Sequence, residues 1–592
     1  MRYARVVVDV GPAHLDRLFD YLVPEGEQVT VGSRVRVGFN GRPRTAWVAE
    51  VTDQPSTDVA RIRPLDRVEG STRWFGPDDL LVWRWVADRY AGTLSGAIRH
   101  ALPPRIARVE AEAAGWGPPP AAQAAERPPC ASDSWRALDG SALLKAAWQP
   151  EGRAYHLRAP LHPVTGEGPH LADLVTRCIA GGRQALVVVP GPAPGPADDV
   201  IAAAGALAAD LRGPHTDADR YRAFLRTQRG EVRVVVGERG VALMPLPDLG
   251  LIVVVDEASP AYKEQRNPRH HVREAVLARA RLLRATAVLT SSVLSAQARR
   301  HAVGGHLSLV RADRATERQH APDIQVVDRT ALPPSARRTR LVGPVAVALD
   351  RAVAAEGLVI VLAAARGSGT SLACADCRSR RECRNCGGGV SPVGASGAAR
   401  ARSGPAVAGD EGGRDTSTGE QWACAACGWQ GAPFDCIDCR STGTFPLRAG
   451  AGRFAAELAR THAQAQVVHM AGFDQPGPDR RPAIAVMTRG SVVARPAWLR
   501  DGGPADLLVI ADPDVLLGRP DVEAAEDALR LWMDAARLAH AVVVQTGHPT
   551  EPALQALVRL DADGFWTGEH PRRAELGFPP AGSLIRLTSL DR

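Results

Sequence analysis

Alternating apolar and polar positions dominate the first hundred residues of the chain. The alternation is clearest at 5–10, 33–37 and 45–51, and Gly and Pro interrupt it between these runs. A period of two residues indicates strands with one buried face. The pattern predicts a small β-rich N-terminal domain over residues 1–105.

A helical pattern follows from Asp78 to Leu94 and is expected to close this domain. Apolar residues at mixed three- and four-residue spacing give it an amphipathic face, namely Leu81, Trp85, Val86 and Tyr90. Residues 106–150 then have the composition of a linker, most plainly in the Pro- and Ala-rich stretch 115–129, which cannot build a core.

From about residue 150, nearly continuous β-branched runs alternate with helical segments. Such runs are typical of parallel strands covered on both faces, as in α/β folds. The first set predicts one lobe over 151–345, and the second predicts another over 346–370 and 449–575. Two such lobes in tandem indicate a RecA-like motor architecture. The runs are 184–190, 231–237, 249–256 and 285–289 in the first lobe, and 357–362, 466–469, 483–487, 507–511 and 541–545 in the second.

A cysteine-rich insertion over 371–448 interrupts the second lobe, and its stretch 391–420 is expected to be disordered. Eight of the ten cysteines form four CxxC pairs. A CxxC turn directs two thiolates at one point, and two turns complete the tetrahedral coordination of a structural Zn²⁺. Four turns predict two zinc ions. The pairs are Cys374/Cys377, Cys383/Cys386, Cys424/Cys427 and Cys436/Cys439.

Spacing alone does not decide which pairs share an ion. In a nested arrangement the two outer pairs hold one ion and the two inner pairs hold the other, and a sequential arrangement is the alternative. The isolated Cys130 and Cys178 are interpreted as ordinary thiols. A disulfide framework is the competing interpretation of the octet, but a cytoplasmic compartment keeps thiols reduced.

The charge balance favours a polyanionic partner. The chain has 72 Lys+Arg against 65 Asp+Glu, and Lys145 and Lys263 are its only lysines. Arginine binds phosphate through a rigid two-pronged group, although a GC-rich genome also produces an excess of arginine. The sequence has neither an apolar run of about 18 residues nor a signal peptide. A soluble cytoplasmic protein without a membrane partner is predicted.

A two-zinc insertion in the second of two α/β lobes, behind a small β-rich domain, resembles the primosomal protein N′ (PriA) family of replication restart proteins. Local motifs agree along nearly the whole chain. They are 18–26 and 31–37 near the N-terminus, 237–239, 256–257, 262–265, His271 and Arg273 in the first lobe, and 450–453, 545–549 and 575–580 after the insertion. The resemblance implies DNA, primosome proteins and single-stranded-DNA-binding protein as partners.

In that family, a pocket of the N-terminal domain receives the terminal nucleotide of a DNA 3′ end. Carried onto this chain, the resemblance implies that Asp20 reads the base and Phe19 supports it. Gly41 would let the backbone approach the nucleotide, and Arg63 would meet its phosphate. Without the family, the segment around Asp20 would be interpreted as a helix cap with core-packing neighbours.

The resemblance also places a phosphate-binding loop at 163–170, where the chain departs from the family. Such a loop needs a Lys to offset phosphate charge, a hydroxyl to hold Mg²⁺ and backbone N–H groups to surround the anion. Pro169 stands at the lysine position, His170 stands at the hydroxyl position, and Glu167 adds negative charge. The residues left as a degenerate nucleotide site are Gly166, Gly168, Asp256 and Glu257.

Other motor parts are altered in parallel. Asp256-Glu257 is followed by Ala258-Ser259 where the family has DEEH, and 290–293 replaces a GSAT-like turn. Arg537 is the only arginine at 532–540, where two are expected to reach the transferred phosphoryl group. Losing such arginines costs about 10³–10⁵ in turnover. These losses argue against ATP and Mg²⁺ as cofactors, and no catalytic residue is predicted.

Two further family domains have no full counterpart in the sequence. Residues 106–150 are interpreted as a linker or the remnant of a winged-helix domain, and 576–592 as the start of a missing C-terminal domain.

The favoured hypothesis is a replication restart protein that binds branched DNA or stalled forks and helps assemble the primosome without helicase activity. One alternative is an ATP-dependent 3′–5′ DNA helicase with a non-standard nucleotide site. The other is a zinc-ribbon nucleic-acid-binding scaffold outside replication.

Overall fold

The chain divides between Asp313 and Arg314 into two units, each with its own core. The computed structural model describes residues 1–118, 124–159, 166–319, 321–337, 339–363, 372–377, 381–385, 389–392, 421–424, 429–446, 451–470, 476–494, 498–499, 503–519, 521–582 and 584. Among these residues, no helix is both long enough and apolar enough to cross a membrane.

The N-terminal domain is an antiparallel sheet in the order β2–β1–β4–β3–β5. Its strands are β1 (Tyr3–Val8), β2 (Phe19–Leu22), β3 (Arg34–Phe39), β4 (Arg42–Thr52) and β5 (Arg67–Val68). β3 and β4 form a hairpin whose two turn residues, Asn40 and Gly41, have φ values of 48° and 72°. Positive φ at both positions is the requirement of a type I′ turn, which matches the twist of the strands. The predicted β-rich domain is confirmed.

Three helices follow the sheet: α1 (Pro77–Arg89), α2 (Leu94–Ala101) and α3 (Ala107–Ala114). The predicted helix thus ends earlier than Leu94, and of its predicted apolar face Val86 is buried but Leu81 is not. Leu81 is 57% exposed, whereas Val82 and Trp83 are buried. Trp83 Nε1 donates a hydrogen bond to the Leu243 carbonyl at 3.1 Å, so α1 packs on the first lobe. Since Leu81 and Val82 are both apolar, spacing alone could not choose between them.

The first lobe is a seven-stranded sheet in the order β12–β6–β11–β10–β7–β9–β8, with all neighbours parallel. Its strands are β6 (Ala154–Arg158), β7 (Gln184–Val188), β8 (Ala208–Leu211), β9 (Val234–Gly237), β10 (Leu249–Val254), β11 (Thr286–Thr290) and β12 (Ser308–Arg311). Its helices are α4 (Ser141–Trp148), α5 (Gly168–Ala180), α6 (Pro196–Ala204), α7 (Asp217–Gln228), α8 (Val272–Leu283) and α9 (Ala296–Val303).

The N-terminal domain and the first lobe share one core within the first unit. Trp74 stacks on Tyr221 and Phe224, with ring centroids 5.2 Å away in each case. The described part of 106–150 is also built into this lobe, because Trp135 and Leu143 lie in its core. The described residues around Trp135 and Leu143 are therefore part of a packed core and not a linker.

The second lobe has a six-stranded parallel sheet, and the described residues of its insertion form two small antiparallel sheets. The strands in chain order are β13 (Asp323–Asp328), β14 (Leu358–Leu362), β15 (Leu372–Cys374), β16 (Val390–Pro392), β17 (Trp422–Cys424), β18 (Gln430–Gly431), β19 (Thr444–Pro446), β20 (Gln466–Met470), β21 (Ala483–Met487), β22 (Ala505–Ile510) and β23 (Ala539–Thr546). The large sheet has the order β13–β23–β22–β14–β21–β20. The predicted fold class, with a cysteine-rich insertion in the second α/β lobe, is confirmed.

The described helices of the second lobe lie before, between and after these strands. They are α10 (Arg314–Gln319), α11 (Gly343–Ala354), α12 (Ala451–Thr461), α13 (Arg489–Ala494), α14 (Pro513–Leu517), α15 (Ala524–Ala536), α16 (Pro552–Arg559) and α17 (Ala562–Glu575). Because β13 pairs with β23, the second lobe begins near Arg314, earlier than the predicted boundary at 346. The stretches predicted as disordered (391–420) and as the start of a further domain (576–592) lie largely outside the described residues.

Candidate functional site

The two outer CxxC pairs converge in the second unit. Their four Sγ atoms lie within 4.8 Å of one another, with 3.4 Å between Cys374 and Cys439 and 3.5 Å between Cys377 and Cys436. Zn–S bonds of about 2.3 Å in a tetrahedron hold the sulfur atoms about 3.8 Å apart. The cluster therefore fits a zinc ion. A sequential pairing, in which Cys374 and Cys377 would share an ion with the next pair, is not the arrangement in the structure.

A buried guanidinium lies beside this cluster. Arg381 is 2% exposed, and its Nη2 donates to the carbonyls of Ser441 at 2.7 Å and Gly443 at 3.1 Å. These carbonyls follow the Cys436–Cys439 turn directly. Four thiolates around Zn²⁺ carry a net charge of −2, so a fixed positive charge here offsets part of it.

The inner pairs are described only in part. Cys383 and Cys424 are buried in one apolar cluster with Trp422, and Cys424 lies opposite Val390 in the β16–β17 pair. Their CxxC partners, Cys386 and Cys427, lie outside the described residues.

Of the segment predicted as a degenerate phosphate loop, residues 166–170 are described, and they lead into α5, which begins at Gly168. Pro169, at the second position of the helix, has no N–H group to offer an anion. His170 is buried: its Nε2 lies 3.0 Å from the Ser134 carbonyl, and its ring meets Trp135 edge-on at 5.0 Å. Glu167 is also buried. The side chain of His170, at the position where a phosphate loop has its hydroxyl, thus packs against Ser134 and Trp135.

The carboxylate of Asp199, from α6, lies against this helix N-terminus. A Cβ placed on Gly168 would lie 1.6 Å from Asp199 Oδ2, so the approach depends on the glycine. A helix N-terminus attracts anions through its free N–H groups and its dipole. Because an acidic group of the protein already lies here, a phosphate would meet like charge.

Neither lysine is placed to replace the missing ammonium group. Lys263 Nζ donates to the Arg269 carbonyl at 2.6 Å and lies 5.2 Å over the Tyr90 ring. Lys145 lies on α4, which ends beside Gly181 at the opposite end of α5: a Cβ there would lie 2.8 Å from the Trp148 carbonyl oxygen.

Glu257 follows β10, and both of its carboxylate oxygens accept hydrogen bonds from other residues of the protein. Its Oε1 accepts from Ser295 N at 2.7 Å, and its Oε2 accepts from Ser295 Oγ at 2.9 Å and from Arg273 Nη1 at 2.8 Å. Burial lowers the pKa of Arg273, but the charges of Glu257 and Glu274 outweigh it and raise the pKa above its ordinary value. Asp256 takes the left-handed conformation at φ 52°. Glu257 is therefore held as half of a buried ion pair.

The remaining motor positions are also buried in packing. Ser291 Oγ lies 2.9 Å from His156 Nε2, and burial lowers the pKa of His156 to about 4. Arg537 lies at the end of α15 and is buried.

In the N-terminal domain, Asp20 lies on β2 with its side chain 1% exposed. Its Oδ2 accepts from Ser56 N (2.9 Å), Ser56 Oγ (2.7 Å) and Thr57 N (2.9 Å), and its Oδ1 lies 3.3 Å from Arg5 Nε. Burial alone would raise the pKa of Asp20, but the hydrogen bonds from Ser56 and Thr57 lower it.

The other residues implied by the resemblance lie elsewhere in this domain. Phe19 meets Phe39 edge-on, with 5.0 Å between ring centroids. Gly41 lies in the β3–β4 turn with open space around it. Arg63 is exposed, and its carbonyl accepts from the N–H of Leu22 on β2 at 2.9 Å.

Comparison with known proteins agrees with this arrangement. A family model described as the PriA 3′DNA-binding domain (3′BD) matches residues 5–103. The probable replication restart protein PriA of Mycobacterium tuberculosis (strain ATCC 25618 / H37Rv) is 32% identical over 601 residues, covering 98% of this chain and 85% of the relative. The chain belongs to the PriA replication restart family.

More distant PriA proteins match less of the chain. The replication restart protein PriA of Bacillus subtilis (strain 168) is 22% identical, covering 72% of this chain and 52% of the relative. The match to the M. tuberculosis PriA, by contrast, covers 98% of this chain. A zinc-ribbon scaffold unrelated to replication is therefore set aside.

The contacts of several residues near the candidate sites could not be predicted from the sequence. Arg273 belongs to a family motif, but its pairing with Glu257 depends on α8 packing beside the end of β10. Asp199 and Arg381 gave no signal, because each acts through a contact with a distant segment. The sequence showed Phe39 only as an aromatic residue in a strand, because its contact with Phe19 depends on the fold.

Proposed function

We propose that this chain is a replication restart protein that binds branched DNA with a free 3′ end and helps assemble a primosome, without hydrolysing ATP. Family membership and the match of residues 5–103 to a 3′DNA-binding domain support the DNA part. The observation that carries the non-catalytic part is the Asp199 carboxylate against Gly168, in a chain whose two lysines lie elsewhere.

One observation favours a second candidate, an ATP-dependent 3′–5′ helicase with a non-standard nucleotide site. Asp256 and Glu257 are still present at the carboxyl end of β10, where a motor holds its metal and water. Calorimetric titration with ATP and Mg²⁺ separates the two. Our proposal expects no binding up to millimolar nucleotide, and micromolar binding would favour the helicase.

The DNA-binding proposal is tested with matched forks that differ only in the nascent-strand end. We expect tighter binding to a fork with an accessible 3′-hydroxyl than to one whose 3′ end is blocked or absent. Equal affinity for both forks and for plain duplex would contradict the proposal.

We also propose that the protein is cytoplasmic and that each chain binds two zinc ions. The outer cysteines form one site, and the inner octet members Cys383, Cys386, Cys424 and Cys427 form the other. Elemental analysis should give two zinc ions per chain, and a value near one would contradict the second site.

We propose that this module recruits primosome proteins and single-stranded-DNA-binding protein. The 69% exposed Ile437, inside the Cys436–Cys439 turn, is the contact to mutate in a binding assay with those proteins.

A further inference from the structure

A cavity of about 880 Å³ opens at the amino ends of the strands of the first lobe. Asp256 and Glu257 come after β10, at the other edge of the same sheet, so the cavity is separate from the degenerate nucleotide site. Its walls are the loop before α1 and the end of α3 on one side, and the ends of α7 and α8 and the loop before β10 on the other. Ligand sites of about 300–1,000 Å³ commonly lie at such junctions between domains.

The floor of the cavity is apolar and belongs to the shared core of the first unit. Four of its side chains are buried in that core, and Leu283 at the end of α8 is half-buried beside them. The four are Phe75, Leu225, Leu246 and Leu249. Because the core fixes these side chains, the floor is formed before a ligand arrives, which lowers the entropy cost of binding.

One end of the cavity carries carboxylates. Asp78 and Asp79 lie in the first turn of α1. Burial raises the pKa of Asp79, although the charge of Arg279 on α8 opposes it, so this end lies beside the last turns of α8. Arg73, also at this end, donates from Nε to the Phe75 carbonyl at 3.3 Å. Asp78 is exposed and forms no ion pair with a described residue, so its carboxylate is available to a cationic group.

The other end carries a guanidinium group. Arg183 directly precedes β7, is exposed, and has no acidic partner among the residues that the structure describes. A Cβ on Gly250 would lie 2.7 Å from the Cβ of Arg183, so the glycine leaves room for the stem of this side chain. Arg229, which also lines this end, is already paired with Glu231. Arg183 is therefore the group that an acidic ligand would meet here.

The order of the strands sets the distance between the two ends. α8 leads into β11 and Arg183 precedes β7, and β10 lies between these two strands. Neighbouring strands lie about 4.8 Å apart, so the two ends are about 10 Å apart. An extended chain covers this distance in about three residues, at about 3.3 Å each.

We infer that this cavity docks a peptide segment of a partner protein, with apolar side chains on the floor, a basic residue at Asp78 and an acidic residue at Arg183. Charge complementarity is the argument for a peptide, because one short segment supplies opposite charges about three residues apart with apolar side chains between them. The inference goes beyond the proposed function. It depends neither on DNA binding nor on the zinc module, so its failure would leave those proposals unchanged.

The test selects peptides from a displayed library of short random sequences on the immobilised full chain. The blocking variant is Ala114→Trp, because Ala114 is exposed at the end of α3 and lines the cavity. Ala111→Trp is its matched control, an exposed alanine one turn earlier on the same helix that does not line the cavity. The charge variants are Asp78→Lys, Arg183→Glu and the double variant Asp78→Lys/Arg183→Glu.

We expect the enriched peptides to share a basic and an acidic residue about three positions apart, with apolar residues between them. In fluorescence anisotropy, Ala114→Trp should weaken their binding at least about tenfold, whereas Ala111→Trp should bind like wild type. Each single charge variant should weaken binding about three- to tenfold, because a like-charge pair replaces an attractive one. The double variant should prefer a peptide in which the two charges are exchanged. Melting temperatures should match that of wild type, since the changed residues are exposed.

The inference is overturned if no enriched peptide binds more tightly than about 100 μM, or if the enriched peptides bind Ala114→Trp as tightly as wild type. It is also overturned if the double variant keeps the charge preference of wild type. Concentration-dependent dimers of the peptide-free chain that Ala114→Trp abolishes would overturn it too, because a second copy of the chain would then occupy the cavity.

Discussion

The outer cysteine cluster and the N-terminus of α5 differ in what they present to a ligand. At the cluster, four sulfur atoms lie within 4.8 Å of one another, and the Arg381 guanidinium adds positive charge beside them. At α5, Pro169 stands where an ammonium group is needed, and the Asp199 carboxylate lies against Gly168. The first place has the sulfur donors and the negative charge that Zn²⁺ needs, whereas the second presents a proline and a carboxylate to an anionic phosphate.

The contrast distinguishes what holds the first α/β lobe together from what nucleotide hydrolysis would need. Every residue of β7 and β10 is buried, so the parallel sheet of the first lobe is held by its apolar side chains and needs no nucleotide. Hydrolysis, in contrast, needs groups from several loops at once. The α/β lobe can therefore serve as the support of the N-terminal domain, as the shared core around Trp74 indicates.

Cys377→Ser should have the largest effect, because it removes one thiolate of the outer cluster. Structural zinc sites have apparent binding free energies of about 10–16 kcal/mol, and binding is coupled to folding. We expect the zinc content to fall by one ion and the insertion to become sensitive to protease. Cys130→Ser is the matched control, since Cys130 is exposed and outside the CxxC pairs. Unchanged zinc content in Cys377→Ser would contradict the site.

Arg273→Ala should come next, because it leaves the buried Glu257 carboxylate without its cation. Breaking a buried pair by removing one partner costs about 3–5 kcal/mol. We expect chemical denaturation to show this loss in the free energy of unfolding, and the double variant Arg273→Ala/Glu257→Gln to recover part of it. A loss below about 1 kcal/mol would mean that Glu257 does not depend on the pair and is available for other chemistry.

Acidification should destabilise the first unit through His156. Burial lowers its pKa to about 4 from an ordinary value near 6.5, so the unfolded chain binds the proton more tightly. The stabilisation from neutral His156 is complete above about pH 6.5 and is lost as pH falls toward 4, by up to about 3 kcal/mol. Melting temperatures between pH 7.5 and 4.5 should fall less steeply in His156→Gln than in wild type. Parallel profiles would contradict this assignment.

Asp199→Asn should have the smallest effect. Loss of a carboxylate at a helix N-terminus costs about 0.3–1 kcal/mol, screened by salt, and denaturation at low and high salt measures it. The variant should gain no ATP turnover, because the lysine is still missing. Asp88→Asn, an exposed change on α1, is the control. A more stable Asp199→Asn protein would show that the carboxylate does not act on the α5 dipole.

The sequence predicted the parts of the fold that depend on local pattern. The β-branched runs at 184–190 and 249–256 became β7 and β10 because they are apolar throughout. β8 and β13 gave no such signal, since both are edge strands with partly exposed side chains. The cysteine spacing likewise predicted the ligand type at the zinc centre.

The parts that depend on distant contacts could not be predicted. Only part of the buried side of α1 could be predicted, because the rest is set by the first lobe, through Trp83 and the Leu243 carbonyl. The sequence showed that a lysine was absent at Pro169, but the carboxylate of Asp199 reaches Gly168 only after α5 and α6 pack together.

ATP turnover by the wild-type chain in the presence of forked DNA, beside Asp256→Ala, tests the central claim most directly. The account predicts the same background rate for both proteins, with no stimulation by the fork. Fork-stimulated hydrolysis by wild type that disappears in Asp256→Ala would contradict it.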